Sequence, residues 1–306
     1  MPNHLLLKVA ASDRVRGLVA SSRLAKPVVD RFVAGDTLED GLAAARELRT
    51  RGICAILDLL GEHVTDAAQA DEATEAYLAA LNATASEPAL GAHVSVKLTQ
   101  LGIDESFDQA VARLRRIVSA LPENGHPLAR VAIDMESHAY TDRTIEAYKA
   151  VRPESERLVL CLQASLRRTE ADVEALLGLT PSIRLCKGAY DEPGELAYGH
   201  AETAASYRRL LAVLLPASPY TAVATHDEAC IREALRLAQR RRIPRDRFEF
   251  QMLYGVRRDL QATLLDEGYA VRVYVPFGAA WYPYLMRRLA ERPANLRLFL
   301  EAVVRG

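Results

Sequence analysis

The chain has only four cysteines among its 306 residues, none in a Cys-x-x-Cys and none at a Cys/His ligand spacing. That pattern gives no support to a metal-ligand or dithiol redox motif. Three of the four (Cys54, Cys161, Cys186 and Cys230) sit inside apolar runs, where a reduced cysteine behaves as a small buried hydrophobe. They read as core thiols of a reducing compartment. An excess of either charge is missing too. With 39 Lys and Arg against 40 Asp and Glu the net charge is −1, which argues against a general nucleic-acid binder. No apolar run reaches the length of a membrane span. The start, Met1-Pro-Asn-His-Leu-Leu-Leu-Lys8, is too short and too broken by charge for a signal peptide. The expected location is cytoplasmic, with peripheral contact at the inner face of the cell membrane left open. No Gly-x-Gly-x-x-Gly follows the first strand-like run, so the usual support for a dinucleotide-binding fold is missing. There is no low-complexity segment or linker.

What is present is regular. Half the residues are hydrophobic, enough for a full core. Short β-like runs recur with helical patterns between them: 53–58, 94–98, 130–134, 158–163, 183–187, 221–225, 248–252 and 270–274. A strand roughly every thirty residues is the repeat of a (βα)8 TIM-type barrel. Segments 169–177 and 201–215 read as amphipathic covering helices. Residues 1–50 look helical, with an N-cap signal in Asp36 to Asp40, and read as accessory helices leading into a barrel over 51–306. Polar residues close most runs: Asp58, Lys97, Asp134, Gln163, Lys187, Thr225 with His226, and Gln251. In a parallel barrel those ends converge on one face.

Several of these could carry chemistry. Lys97 and Lys187 lie in apolar strands and must find a partner or lose their charge, as barrel-mouth salt bridges (Lys97 with Asp134, for example), as an anion site, or as a Schiff-base amine. The last would make the protein a class I aldolase-type barrel. Asp134 could orient a cation, accept a proton, or fix a loop. Arg184 to Tyr190 combines two cations, a glycine and an aromatic, which suits a bound phosphate or flavin. His226 with Thr225 could bind a cofactor, act as acid or base, or be structural. His63, His93, His138 and His200 fit no metal-ligand spacing. Arg287 and Arg288 stand side by side with Glu291 one turn on. They could form a solvated basic face, but Trp281, Tyr282 and Tyr284 before them supply the apolar walls of a small-molecule pocket.

Tyr274 to Asn295, taken with Arg184 to Tyr190, resembles the bacterial monofunctional proline dehydrogenases, FAD enzymes that oxidise L-proline to Δ1-pyrroline-5-carboxylate. Supporting matches are Phe32 to Thr37, Asp58 to Glu62, Val96 to Gly102, Ile133-Asp134, Ala224 to His226 and Phe248 to Gly255. The resemblance implies a distorted barrel with FAD across the strand ends, hydride transfer from C5 of proline to flavin N5, and a quinone-type acceptor at the membrane. It implies that Arg287 and Arg288 clamp the carboxylate with Lys97 adding charge, and that Asp134, Tyr274, Tyr284 and Glu291 line or brace the substrate pocket. Gln163, Arg184, Lys187, Gly188, Ala189, Thr225 and His226 would hold the flavin, with Met135 touching it, and Asp134 and Arg184 would be the catalytic pair. Glu62 matches a position that pairs with the first arginine and gates entry. The chain is shorter than the bifunctional form with its aldehyde dehydrogenase domain. Phe277, Ala279 and Leu296 depart from the commonest residues of the signature.

Overall fold

The computed structural model describes residues 26–121 and 129–290. Among the described residues two helices lead in, α1 (Lys26–Phe32) and α2 (Leu38–Thr50). The sequence cue at Asp36 to Asp40 resolves into a capping box: Thr37 Oγ1 accepts from Asp40 N at 3.2 Å, and Thr37 N donates back to Asp40 at 2.9 Å. Such a cap is worth about 0.5–2 kcal/mol to a helix start.

Eight parallel strands then close on themselves in sequence order. They are β1 (Cys54–Leu59), β2 (His93–Val96), β3 (Val131–Ile133), β4 (Leu158–Gln163), β5 (Ile183–Cys186), β6 (Thr221–Ala224), β7 (Phe248–Leu253) and β8 (Val271–Phe277). Between them lie α3 (Ala67–Ser86), α4 (Phe107–Ser119), α5 (Thr141–Val151), α6 (Thr169–Leu176), α7 (His200–Ala217), α8 (Glu228–Arg241) and α9 (Arg258–Asp266). Helix α10 (Trp281–Ala290) follows the last strand. The expected barrel is the observed one. Strand β8 runs past the expected Tyr274 through Pro276, whose carbonyl accepts from Ala34 N at 2.9 Å. The proline sits where its missing N–H is not needed by a neighbour.

Alternation along the strands sorts the core into two parts. Residues such as Val271, Val273 and Val275 join the main apolar cluster between strands and helices. Burying a side chain of that kind contributes about 1.5–3 kcal/mol. Inside the barrel the apolar content is small, a cluster of Ala132, Val159, Tyr220 and Ala222. Apart from residues such as Ile56 and Cys161, the other inward positions are mostly polar and buried, among them His93, Ser95, Arg184, Glu249, Gln251 and Arg272. A (βα)8 interior is normally filled by branched aliphatics. This one is filled by hydrogen-bonded charge.

All four cysteines are free. Cys161 and Cys230 are buried, as expected of core thiols, whereas Cys54 and Cys186 are half-buried. Among the described residues no helix is long and apolar enough to cross a membrane.

Candidate active site

The strand ends expected to converge do so. Register places Asp58 of β1 beside Ser95 of β2, so Asp58 reaches the next inward residue, Lys97, at 2.5 Å. The sequence pointed to Asp134 as the example partner of Lys97; the structure corrects this. Burial alone would lower the Lys97 pKa, but the surrounding Asp58, Tyr77 and Asp134 outweigh it and raise it above the ordinary lysine value. Burial and Asp134 press the Asp58 carboxyl upward, yet it faces a lysine held charged, so the ion pair is the form the geometry favours. A lysine kept protonated in this way is a poor Schiff-base nucleophile. Lys187 is likewise committed, to Asp227 at 2.6 Å.

Asp134, just past β3, is held from three sides. Ser95 Oγ donates to Oδ1 at 2.7 Å, Arg184 Nη1 donates to the same oxygen at 2.6 Å, and the Tyr274 hydroxyl donates to Oδ2. Burial and the carboxylates of Asp134 and Asp58 hold the Tyr274 phenol well above its ordinary pKa, so it remains a donor. Arg184 is buried and still kept charged: desolvation would lower its pKa, but Asp134 and its other neighbours raise it. Its guanidinium lies 5.6 Å over the Tyr274 ring. One of its nitrogens, Nη2, is buried without a hydrogen-bond partner among the described residues.

A second set of unused groups lies beside it. Gln163 donates its amide to the Glu136 carbonyl at 2.7 Å, which leaves Oε1 directed elsewhere and unpartnered, as is Ser165 Oγ. Gly188 borders both. Its φ of +113° is a backbone conformation that suits glycine, and a Cβ there would stand 2.9 Å from Gln163 Oε1 and closer still to Ser165 Oγ. Buried polar atoms left unpaired cost about 1–3 kcal/mol each unless a ligand meets them. A flavin ring edge, with alternating carbonyl acceptors and ring N–H, suits a guanidinium nitrogen beside an amide oxygen. The residues fit FAD.

The other expected contacts are placed as follows. Met135 is buried in the main core cluster. Thr225 is buried and His226 is half-buried, its Nε2 accepting from Leu253 N at 3.0 Å. Ala189 and Tyr190 lie in the loop after β5. Over the mouth, Arg287 of α10 pairs with Glu62 of the first βα loop at 2.5 Å, a pairing that the family resemblance implies. Burial would lower the Arg287 pKa, but Glu62 and the neighbouring Tyr190 raise it. Tyr284 is buried against Val33 and Leu60, with Arg288 5.4 Å from its ring. Glu291 and Leu296 lie outside the described residues. Among the described residues no three His, Cys, Asp or Glu gather as a metal site.

Sequence reasoning missed Ser95, Tyr220, Glu249 and Arg272 as parts of this network. The signal was available: Glu249 and Arg272 lie two residues before Gln251 and Tyr274, hence on the same inward face.

Fold and site together define an α/β-barrel flavoenzyme with a cationic cap over its mouth. The model of the proline dehydrogenase family matches residues 41–299, and the chain belongs to that family of FAD-dependent oxidoreductases, which carry out the first step of proline catabolism. It is 39% identical to proline dehydrogenase 1 of Bacillus subtilis over 276 residues, 90% of each chain. It is also 39% identical to the proline dehydrogenase of Deinococcus radiodurans over 285 residues, 91% of each chain. Among solved structures, proline utilization A of Bdellovibrio bacteriovorus, inactivated by N-propargylglycine, superposes with a TM-score of 0.79 at 26% identity, covering 87% of this chain and 33% of that one.

Proposed function

We propose that the barrel mouth oxidises L-proline to Δ1-pyrroline-5-carboxylate, with the residue roles below and a quinone as electron acceptor. The observation that carries this reading is the pairing of Arg287 with Glu62 over a mouth whose Arg184 and Gln163 present unpartnered polar atoms. Arg287 is a carboxylate receptor already loaded with a carboxylate. An incoming proline carboxylate exchanges with Glu62, keeps the guanidinium paired, and meets Arg288 and the positive charge of Lys97. Held at that end, the ring lies between Tyr274 and Tyr284.

When bound, FAD would supply the hydride acceptor that oxidation of proline at C5 requires. The protein's part is orientation and field. Fixing the carboxylate aligns C5 and can supply several kcal/mol of the barrier. Asp134, anchored by Ser95, Arg184 and Tyr274, is the acceptor for the amine proton. Arg184 stabilises negative charge where it grows. Gln163, Lys187, Gly188, Ala189, Thr225 and His226 hold the cofactor, with Met135 against it. The accessory helices and the barrel act as one catalytic domain. The quinone acceptor puts the protein at the inner face of the cell membrane as a peripheral partner.

Replacing Arg287 or Arg288 with Met tests the substrate site. Truncating a charge-assisted pair costs about 2–5 kcal/mol, so the proline KM should rise at least thirtyfold while flavin stays bound. An unchanged KM would remove the carboxylate role. Proline:quinone reductase activity that rises when membrane vesicles are added supports the acceptor and its place.

A further inference from the structure

We propose that Gln251, oriented by Glu249 and Tyr220, is a positioning residue that sets the direction of Arg184 and thereby the reduction potential of the flavin. This rests on the reading above that places Arg184 against the cofactor. Gln251 is inward on β7 and buried. Its Oε1 accepts from Arg184 Nε at 2.8 Å. Its Nε2 donates to Glu249 at 2.7 Å and to the Tyr220 hydroxyl at 3.2 Å.

The orientation of that amide follows from its neighbours. Arg272 donates to Glu249 at 2.6 Å. Burial would push the Glu249 carboxyl up, but Arg272 and its hydrogen bonds outweigh that and hold it below the ordinary glutamate value. An ionised carboxylate only accepts hydrogen bonds, so the amide must turn its NH2 toward Glu249. The oxygen is then forced onto Arg184 Nε. With Nε fixed by Gln251 and Nη1 fixed by Asp134 and Ser95, the plane of the guanidinium has no freedom left, and the unpartnered Nη2 points one way. Electrostatic stabilisation depends on such donors being set before charge develops. A guanidinium released at Nε can swing about its Asp134 contact and lose that advantage.

The test is the midpoint potential of the FAD-loaded enzyme in five forms: wild type, Gln251→Met, Gln251→Asn, Arg184→Met, and Gln251→Met with Arg184→Met. Gln251→Met should favour the oxidised flavin about tenfold, about 30 mV more negative for a two-electron couple. Proline KM should stay near wild type while the rate of flavin reduction falls roughly tenfold, because the lost stabilisation is of the negative charge on the flavin, in the transition state and in the reduced form, and not of bound proline. Gln251→Asn keeps an amide beside Glu249 but draws its oxygen back by one methylene, so it should shift the potential the same way and serves if Gln251→Met does not fold. The double variant should match Arg184→Met alone, since Gln251 acts only through Arg184. A Gln251 variant with wild-type potential beside a shifted Arg184→Met would overturn the relay and leave the site reading standing. Shifts that add in the double variant would also overturn it. No shift in any form would remove Arg184 from the flavin, and the relay with it.

Discussion

At the floor of the barrel Arg272 donates to Glu249 and to the carbonyls of Ala55 and Gly91, at 2.6–3.1 Å. At the mouth Arg184 donates to Asp134, Ser95 and Gln251 over a similar range, 2.6–3.0 Å, yet its Nη2 meets nothing among the described residues. Both arginines are buried, both face an inward carboxylate, and both are kept charged despite desolvation. The floor spends its hydrogen-bonding capacity on Glu249, on the backbone of β1 and on the turn that leads into β2, and so ties the barrel together. The mouth keeps capacity in reserve, in Arg184, Gln163 and Ser165 together. Identical residue types therefore serve structure at one end and chemistry at the other, according to what remains unpaired.

The contrast can be broken by exchanging the consequences. Arg272→Met leaves Glu249 buried without its cation, and breaking a buried pair in this way costs about 3–5 kcal/mol. Its expected signature is a large fall in thermal midpoint, read by calorimetry. Arg184→Met should instead leave a folded protein whose flavin reduction by proline slows about 10²–10³-fold, read by stopped-flow absorbance. If both variants mainly unfolded, or both mainly lost activity, the division between floor and mouth would fail.

Gly188→Ala sharpens the description of the mouth. The added methyl group enters the cradle against Gln163 Oε1 and forces a left-handed alanine, at a cost of about 1–3 kcal/mol. FAD affinity should fall by about tenfold or more while the apoprotein still folds, as seen by fluorescence titration and circular dichroism. An unchanged affinity would take Gly188 away from the cofactor.

The smallest expected effect is one of pH. Glu249 has a folded pKa below its unfolded value near 4.3, so its contribution to stability is present above that value and is lost as pH falls through the lower folded pKa. Each tenfold difference in proton affinity between the folded and unfolded states is worth about 1.4 kcal/mol. In Glu249→Leu with Arg272→Leu, which removes the pair together, the acid limb of the stability curve should flatten. An identical limb would mean that other carboxylates control acid unfolding.

Much of this was legible in the sequence, because alternation and strand-end polarity are local signals. β4 matches its expected run residue for residue; of the expected ends, Asp58 and Lys97 pair directly, and Asp134 and Gln251 share Arg184. Partnership was not legible. Which carboxylate reaches Lys97 depends on the β1–β2 register and on Arg184 of β5 having taken Asp134, neither of which leaves a trace in spacing. The floor escaped notice for a different reason. Glu249 and Arg272 sit in strands whose outward faces are strongly apolar, and hydropathy hides a polar inner face when the other one dominates. The Arg287–Glu62 pair, separated by most of the chain, came from family likeness and not from pattern.

The measurement that bears most directly on the division between mouth and floor is anaerobic titration of the FAD-loaded protein with L-proline, followed at the flavin absorption band, in the wild type and in Arg184→Met. The wild-type band should bleach on adding proline, and the Arg184→Met band should bleach far more slowly at equal flavin occupancy. A wild-type flavin that ignores proline, or an Arg184→Met flavin that bleaches as fast, would contradict the assignment of the chemistry to the unpaired groups of the mouth.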